Sequence, residues 1–174
     1  CIVKHAFLPP VMKHEPALPA SILSFTVKEK AVGRVLICAN ASRLDMHNNQ
    51  DLYGLDMTIE VAKNLLAKSL PVSFVFTVSS LESGADVFNK GLSKLKEYGI
   101  TDHFLLISEK LSFVRLIENA DIVIRPTNTD GDALTVREAI YFGKTTIASD
   151  VVSRPEGTVL FKTRNNEDLE QKLE

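Results

Sequence analysis

Cysteine is scarce: the chain has two, Cys1 and Cys38, in 174 residues. One is the first residue and the other lies inside an apolar run, so they build neither a disulfide framework nor a zinc site. A reducing, cytoplasmic setting is the expectation. Excess charge is also lacking. The net charge is −2 and the pI is near 6.1, which removes the electrostatic case for binding nucleic acid. No apolar run reaches membrane-spanning length, and no charged segment leads into an apolar one as in a signal peptide. The histidines at positions 5, 14, 47 and 103 show no paired metal-ligand spacing. Glycine-rich nucleotide fingerprints are missing as well. Ala39, at the end of the first apolar run, is followed by NASRLD and not by G-x-G-x-x-G, and no G-x-x-x-x-G-K-S/T occurs. Dinucleotide-dependent hydride transfer and P-loop chemistry both lose their basis.

What remains is ordinary globular material. Hydrophobic residues make up 45% and charged residues 24%, and the length suits one domain. Residues 1–20, with four prolines and little periodicity, read as an extended lead-in. VKEKAVG, residues 27–33, reads as a charged turn, and Val35–Ala39 as the first strand. A long polar loop, Asn40 to Tyr53, precedes a helix from Leu55 with Ile59, Ala62 and Leu66 on its apolar face. VSFVFTV at Val72–Val78 is a strand by its β-branched and aromatic content. A helix over Asp86–Tyr98 and a strand over His103–Ile107 follow. Ser112 is placed to cap a short helix through Asn119. Thr158–Phe161 reads as a last short strand, and a last helix starts at Asn166.

Strands alternate with helices throughout. The expectation is an α/β fold: a single Rossmann-like domain, residues 21–174, with a parallel sheet of about six strands and helices on both faces. Ligands of such sheets bind beyond the carboxyl ends of the strands. The richest segment there is Ala120 to Ser149, ADIVIRPTNTDGDALTVREAIYFGKTTIAS. It reads as a buried strand at Ile122–Ile124, a loop from Arg125 to Asp132, a helix from Leu134 ending at Gly143, and another strand. A loop feeding a helix N-terminus after a buried strand is a natural phosphate seat.

Two carboxylates bracket that seat, Asp130 on the loop and Glu138 one turn inside the helix, with Gly131 between them allowing close backbone approach. The N–H groups at the helix start have no partner within the helix. Phosphate on those groups and hydroxyls on the carboxylates describe a nucleotide sugar. For Asp130 a helix-capping or dipole role competes with ligand binding. A metal reading is weaker. Asn128, Asp130 and Asp132 open like a calcium loop, but Ala133 and Ala139 stand where that loop needs Gly and Glu.

DGDALTVREAIYFGKTTIASDVVSRPEG resembles the signature of the glycosyltransferase family 4, or group 1, enzymes. Their pattern runs Glu-Gly-x-Gly, then Leu, and a Glu-Ala pair one turn into the helix. Here Asp130 replaces the first Glu and Ala133 the second Gly, while Gly131, Leu134, Glu138 and Ala139 match. SRLDMHNNQDLYGLDMTIEVAKNL is similar to the family's Arg-Leu…Lys-Gly-Leu-Asp segment, and residues 5–10 look like its interdomain linker. The resemblance implies the C-terminal, donor-binding half of a GT-B fold enzyme. It assigns Glu138 to the nucleotide ribose and Asp130, as the catalytic-region carboxylate, to the donor sugar. It gives the distal phosphate to the backbone at Ala133, Leu134 and Thr135, and the diphosphate to Arg43. The family's second clamping residue, a Lys, falls on Tyr53, for which Arg125 or Lys144 would have to compensate. Ser108 and Leu111 lie where the base is contacted.

The expected activity is therefore transfer of a sugar from a nucleotide sugar, UDP-linked, to a saccharide or lipid-linked acceptor, with retention and in polysaccharide synthesis. No metal and no other cofactor is implied. The acceptor would sit on a missing N-terminal domain, and the full-length enzyme would be cytoplasmic, at the inner face of a membrane. This chain alone is expected to turn over little or no substrate. The alternatives are a sugar-nucleotide epimerase of the same fold and a non-catalytic nucleotide-binding module.

Overall fold

The computed structural model describes residues 7–174. Of the expected lead-in, residues 1–6 lie outside the described residues. The rest forms no helix or strand before Ala20 except one 3-10 turn at Met12–His14. The chain then enters its fold through a helix that its sequence hides, α1 (Ala20–Ala31). This overturns the turn reading for residues 27–31, while Val32 and Gly33 do form a turn. Its buried positions are Ile22, Thr26 and Glu29, a helical spacing with only one apolar residue, while Leu23 and Val27 face outward. Glu29, 1% exposed, has partners in its buried position: His103 Nδ1 lies 2.9 Å and Arg34 Nε 3.5 Å from its carboxylate.

The remaining elements follow the alternation. They are β1 (Val35–Ala41), a small hairpin of β2 (Met46–His47) and β3 (Gln50–Asp51), α2 (Leu55–Ala67), β4 (Val72–Val78) and α3 (Ala85–Glu97). After these come β5 (Phe104–Ser108), α4 (Phe113–Asn119), β6 (Ile122–Arg125), α5 (Leu134–Tyr141), β7 (Thr145–Ser149), β8 (Thr158–Phe161) and α6 (Asn166–Leu173). The hairpin sits inside the loop expected at residues 40–53. Its turn residues Asn48 and Asn49 both have positive φ, 50° and 59°, the geometry that a tight two-residue turn requires.

Six strands form one parallel sheet in the order β5-β4-β1-β6-β7-β8. Side chains alternate between its faces. Ile37, Ala39, Phe74, Phe76, Ile124 and Ile147 pack with α2, α3 and α6, whereas Leu36, Cys38, Val75 and Val123 pack with Ile22, Leu116, Ile117 and Ala139 of α1, α4 and α5. A sheet covered on both faces explains why β4 is apolar almost without interruption and buried at all seven positions. Burial also pushes the Cys38 thiol well above its usual range, so it is an inert core residue.

The chain runs from β1 outward to β4 and β5, then returns to the other side of β1 for β6, β7 and β8. The switch point therefore lies between β1 and β6. Their ladder holds only Ile37↔Ile122 and Cys38↔Val123, although β1 continues to Ala41 and β6 to Arg125. The two strands part before their carboxyl ends.

One carboxylate organises the loop that leaves β1. Asp51, 3% exposed, accepts the N–H groups of Tyr53, Gly54 and Leu55 at 2.9, 3.2 and 3.0 Å. It serves as the missing N-cap of α2, whose own N-cap residue is Gly54. Asp51→Ala should lower the unfolding free energy by about 2 kcal/mol in a urea melt. A loss of a few tenths would mean that water satisfies those N–H groups instead.

Candidate functional site

Tyr53 crosses the parted ends of β1 and β6. Its hydroxyl lies 2.8 Å from Ser42 Oγ, just past β1, and the Arg125 guanidinium lies 5.1 Å from its ring centroid. The loops on either side are tied together by the Asn128 N–H, which donates to the Leu52 carbonyl at 3.0 Å.

Arg125, the last residue of β6, turns back onto Asp130. Its Nε and Nη2 donate to the two carboxylate oxygens at 3.0 and 3.2 Å. A second arginine closes the network from 24 residues away. Arg154 Nη1 donates to Asp130 at 2.9 Å, Nη2 donates to Thr127 and Ser149 hydroxyls at 3.3 and 3.2 Å, and Nε donates to the Ser149 carbonyl at 3.0 Å. The side chains of Arg154 and Asp130 are 3% and 8% exposed. Burial alone would raise the Asp130 pKa. The hydrogen bonds and charges of Arg125 and Arg154 outweigh it and hold the carboxyl below its ordinary value. Thr127 and Gly131 also donate to Asp130, at 3.2 and 3.0 Å. The Arg154 side chain is a buried strut of this loop.

Beyond the network α5 begins with a bare N-terminus. Its N-cap, Ala133, has no side-chain oxygen to offer. Among the described residues the N–H groups of Ala133, Leu134 and Thr135 have no acceptor. They carry the positive end of the helix dipole.

Glu138 follows one turn later. It is 8% exposed, and its carboxylate makes no hydrogen bond or ion pair with any described residue. Desolvation, and then the nearby Glu15 charge, raise its pKa above the ordinary carboxylate value. Glu15 belongs to the lead-in, which sequence reasoning left without a role. Glu15 and Pro16 line a cavity of about 360 Å³ with Lys110, Leu111 and Ser112 at the carboxyl end of β5. Leu111 is thus a wall of a cavity, and Ser108 ends β5 half-buried. Ser112 caps α4 as expected, accepting the Arg115 N–H at 3.3 Å.

Arg43 follows Ser42 on the same loop as Tyr53. Its side chain is 64% exposed and is paired with Asp45, whose other carboxylate oxygen accepts from Ser83 Oγ at 3.0 Å. Lys144 precedes β7 at the amino end of the sheet and donates to the Glu118 carbonyl at 2.8 Å. It lies on the edge opposite the site and supplies no charge there, whereas Arg125 lies against the Tyr53 ring. Among the described residues no group of three His, Cys, Asp or Glu side chains could hold a metal ion, and no helix is long and apolar enough to cross a membrane.

No family model matches the chain, and no curated protein sequence matches it. Solved structures do. A glycosyltransferase from Rickettsia africae superposes with a TM-score of 0.70 at 15% identity, covering 90% of this chain and 41% of that one. Anabaena HepE in complex with UDP-glucose gives a TM-score of 0.68 at 13% identity, covering 90% and 43%. The C-terminal domain of the group 1 glycosyl transferase LpcC from Francisella tularensis gives 0.67 at 18% identity, covering 90% of this chain and 82% of that domain. The chain thus spans about two fifths of the first two proteins and about four fifths of an isolated C-terminal domain. With a six-stranded parallel sheet and six α-helices among its described residues, it has the fold of the C-terminal half of a GT-B glycosyltransferase.

Proposed function

We propose that this chain is the nucleotide-sugar-binding half of a retaining glycosyltransferase that uses a UDP-linked donor. The observation that carries this reading is Glu138: a buried carboxylate with no described partner, one turn inside a helix whose N-terminus is uncapped. An unpaired buried carboxylate costs stability and is a strong hydrogen-bond acceptor. Two vicinal hydroxyls of a ribose would satisfy it. The N–H groups of Ala133, Leu134 and Thr135 would take the distal phosphate, and the cavity at Leu111 would take the base. Build-up of negative charge on the departing diphosphate would be stabilised by that helix end and by nearby arginines. No step in this scheme calls for a metal ion. HepE is described in complexes with UDP and with UDP-glucose, which supports the choice of donor.

The acceptor, a saccharide or lipid-linked group, would be held by an N-terminal domain. Such an enzyme would serve polysaccharide synthesis on the cytoplasmic side of a membrane. Taken alone, the chain should bind nucleotide and transfer little or no sugar.

Glu138→Gln tests the reading, because it should move stability and binding in opposite directions. A folded-state pKa above the ordinary value means that the protonated form is favoured in the fold. Stability is then lost as pH rises through that pKa. The glutamine variant should therefore be more stable at pH 7, by about 1 kcal/mol, and the gap should close toward pH 4. Affinity for UDP, measured by calorimetry, should fall roughly 10- to 100-fold, the loss of a charged hydrogen-bond acceptor. Undiminished UDP binding by Glu138→Gln would remove Glu138 from the site. No binding of UDP or GDP by the wild type at millimolar concentration would remove the nucleotide itself.

A further inference from the structure

Asp130 has two arginines, and they differ in what they have left to give. Arg154 is 3% exposed, and Nε, Nη1 and Nη2 each hold a protein oxygen. It is fully occupied as a strut. Arg125 is 13% exposed and binds Asp130 along one edge only, through Nε and Nη2. Its Nη1 has no partner among the described residues. The guanidinium carbon lies 5.1 Å from the centroid of the Tyr53 ring at the parted ends of β1 and β6, and Tyr53 is itself held by Ser42. An arginine oriented by a carboxylate on one edge and an aromatic ring beside it has lost its rotamer freedom before any ligand arrives. Two guanidinium groups against one carboxylate also leave one net positive charge beside the bare N-terminus of α5.

We infer that Arg125 is the diphosphate-binding cation of this chain, with Asp130 and Tyr53 as its positioning residues. The assignment rests on nucleotide-sugar binding at the same site. In this assignment Arg154 anchors Asp130, Asp130 aims Arg125, and the unpartnered Nη1 is left to bind the distal phosphate. Arg43, exposed and paired with Asp45 on another loop, is a secondary contributor.

Calorimetry with UDP and with UMP isolates the second phosphate. The wild-type chain should bind UDP more tightly than UMP. Arg125→Gln should cut the UDP affinity by about tenfold or more while changing UMP binding less than about threefold. Arg125→Lys, which keeps the charge and gives up the bidentate grip on Asp130, should retain most of the preference for UDP. Thermal melts of each variant accompany the titrations. Equal losses of UDP and UMP binding in Arg125→Gln, without rescue by lysine, would make Arg125 a structural residue and overturn the assignment. An unchanged UDP-to-UMP ratio in Arg125→Gln would overturn it while leaving the nucleotide reading intact. Failure of the wild type to bind either nucleotide would overturn both.

Discussion

Arg154→Ala should destabilise the chain by about 3–5 kcal/mol, the cost of removing one partner from a buried ion pair. Every polar atom of this guanidinium end is used, on Asp130, Thr127 and both oxygens of Ser149. Thr127 and Ser149 are 1% and 0% exposed, so water cannot easily replace the arginine there. The variant leaves Asp130 buried with Arg125 as its single cation, and Asp130 should then titrate closer to its ordinary value. Its folded-state pKa is now held low, which means that the pair stabilises the fold above the ordinary carboxylate range. That contribution is lost as pH falls through the lowered pKa. The wild type should therefore lose stability from about neutral pH toward strong acid more steeply than Arg154→Ala does. Urea melts at a series of pH values measure both the size and the slope. A pH-independent loss below about 1 kcal/mol would show that the network is ornamental to the fold. Adding Asp130→Asn to Arg154→Ala should recover part of the loss, since the uncompensated charge goes with it.

That network was illegible in the sequence for a plain reason. Arg154 and Asp130 are 24 residues apart, and only the parallel pairing of β6 with β7 brings their loops together. The apolar runs behaved differently. Val72–Val78 and Ile122–Ile124 are pure strand compositions bounded by turn residues, and they form β4 and the body of β6. Helix α1 stayed hidden because its buried stripe contains Thr26 and Glu29, and Glu29 is tolerated only through partners on other elements, His103 and Arg34. The hairpin Met46–Asp51 was hidden by its polar composition, although Asn48-Asn49 is a pair that accepts positive φ and could have signalled it. For the site, Glu138 and the start of α5 were legible, because both lie within one loop–helix unit. The position of Arg125 was not, because it depends on where β1 and β6 separate.

The second large effect should come from a single methyl group at Gly54. This residue begins α2 at φ +71°, and a Cβ placed there would lie 2.2 Å from the Pro126 carbonyl oxygen and 2.9 Å from its ring carbons. Two penalties combine: left-handed backbone costs about 1–2 kcal/mol for a residue with a side chain, and overpacking against another loop's backbone costs about 1–3 kcal/mol more. Gly54→Ala should therefore lower stability by about 2–5 kcal/mol. A control separates the terms, since Gly143 has φ +65° with nothing within 4 Å of its would-be Cβ. Gly143→Ala should show the backbone term alone, about 1–2 kcal/mol. The excess at Gly54 reports the contact with Pro126. That contact matters beyond stability, because Gly54 adjoins Tyr53 and Pro126 adjoins Arg125. Pushing these loops apart should separate the ring from the guanidinium and weaken the preference for UDP over UMP in whatever fraction remains folded. Nucleotide titration below the melting temperature of the variant reads this directly. A Gly54→Ala chain that is no less stable than Gly143→Ala, and that keeps its full preference, would mean that the two loops are not in close contact and that Arg125 is not positioned through them.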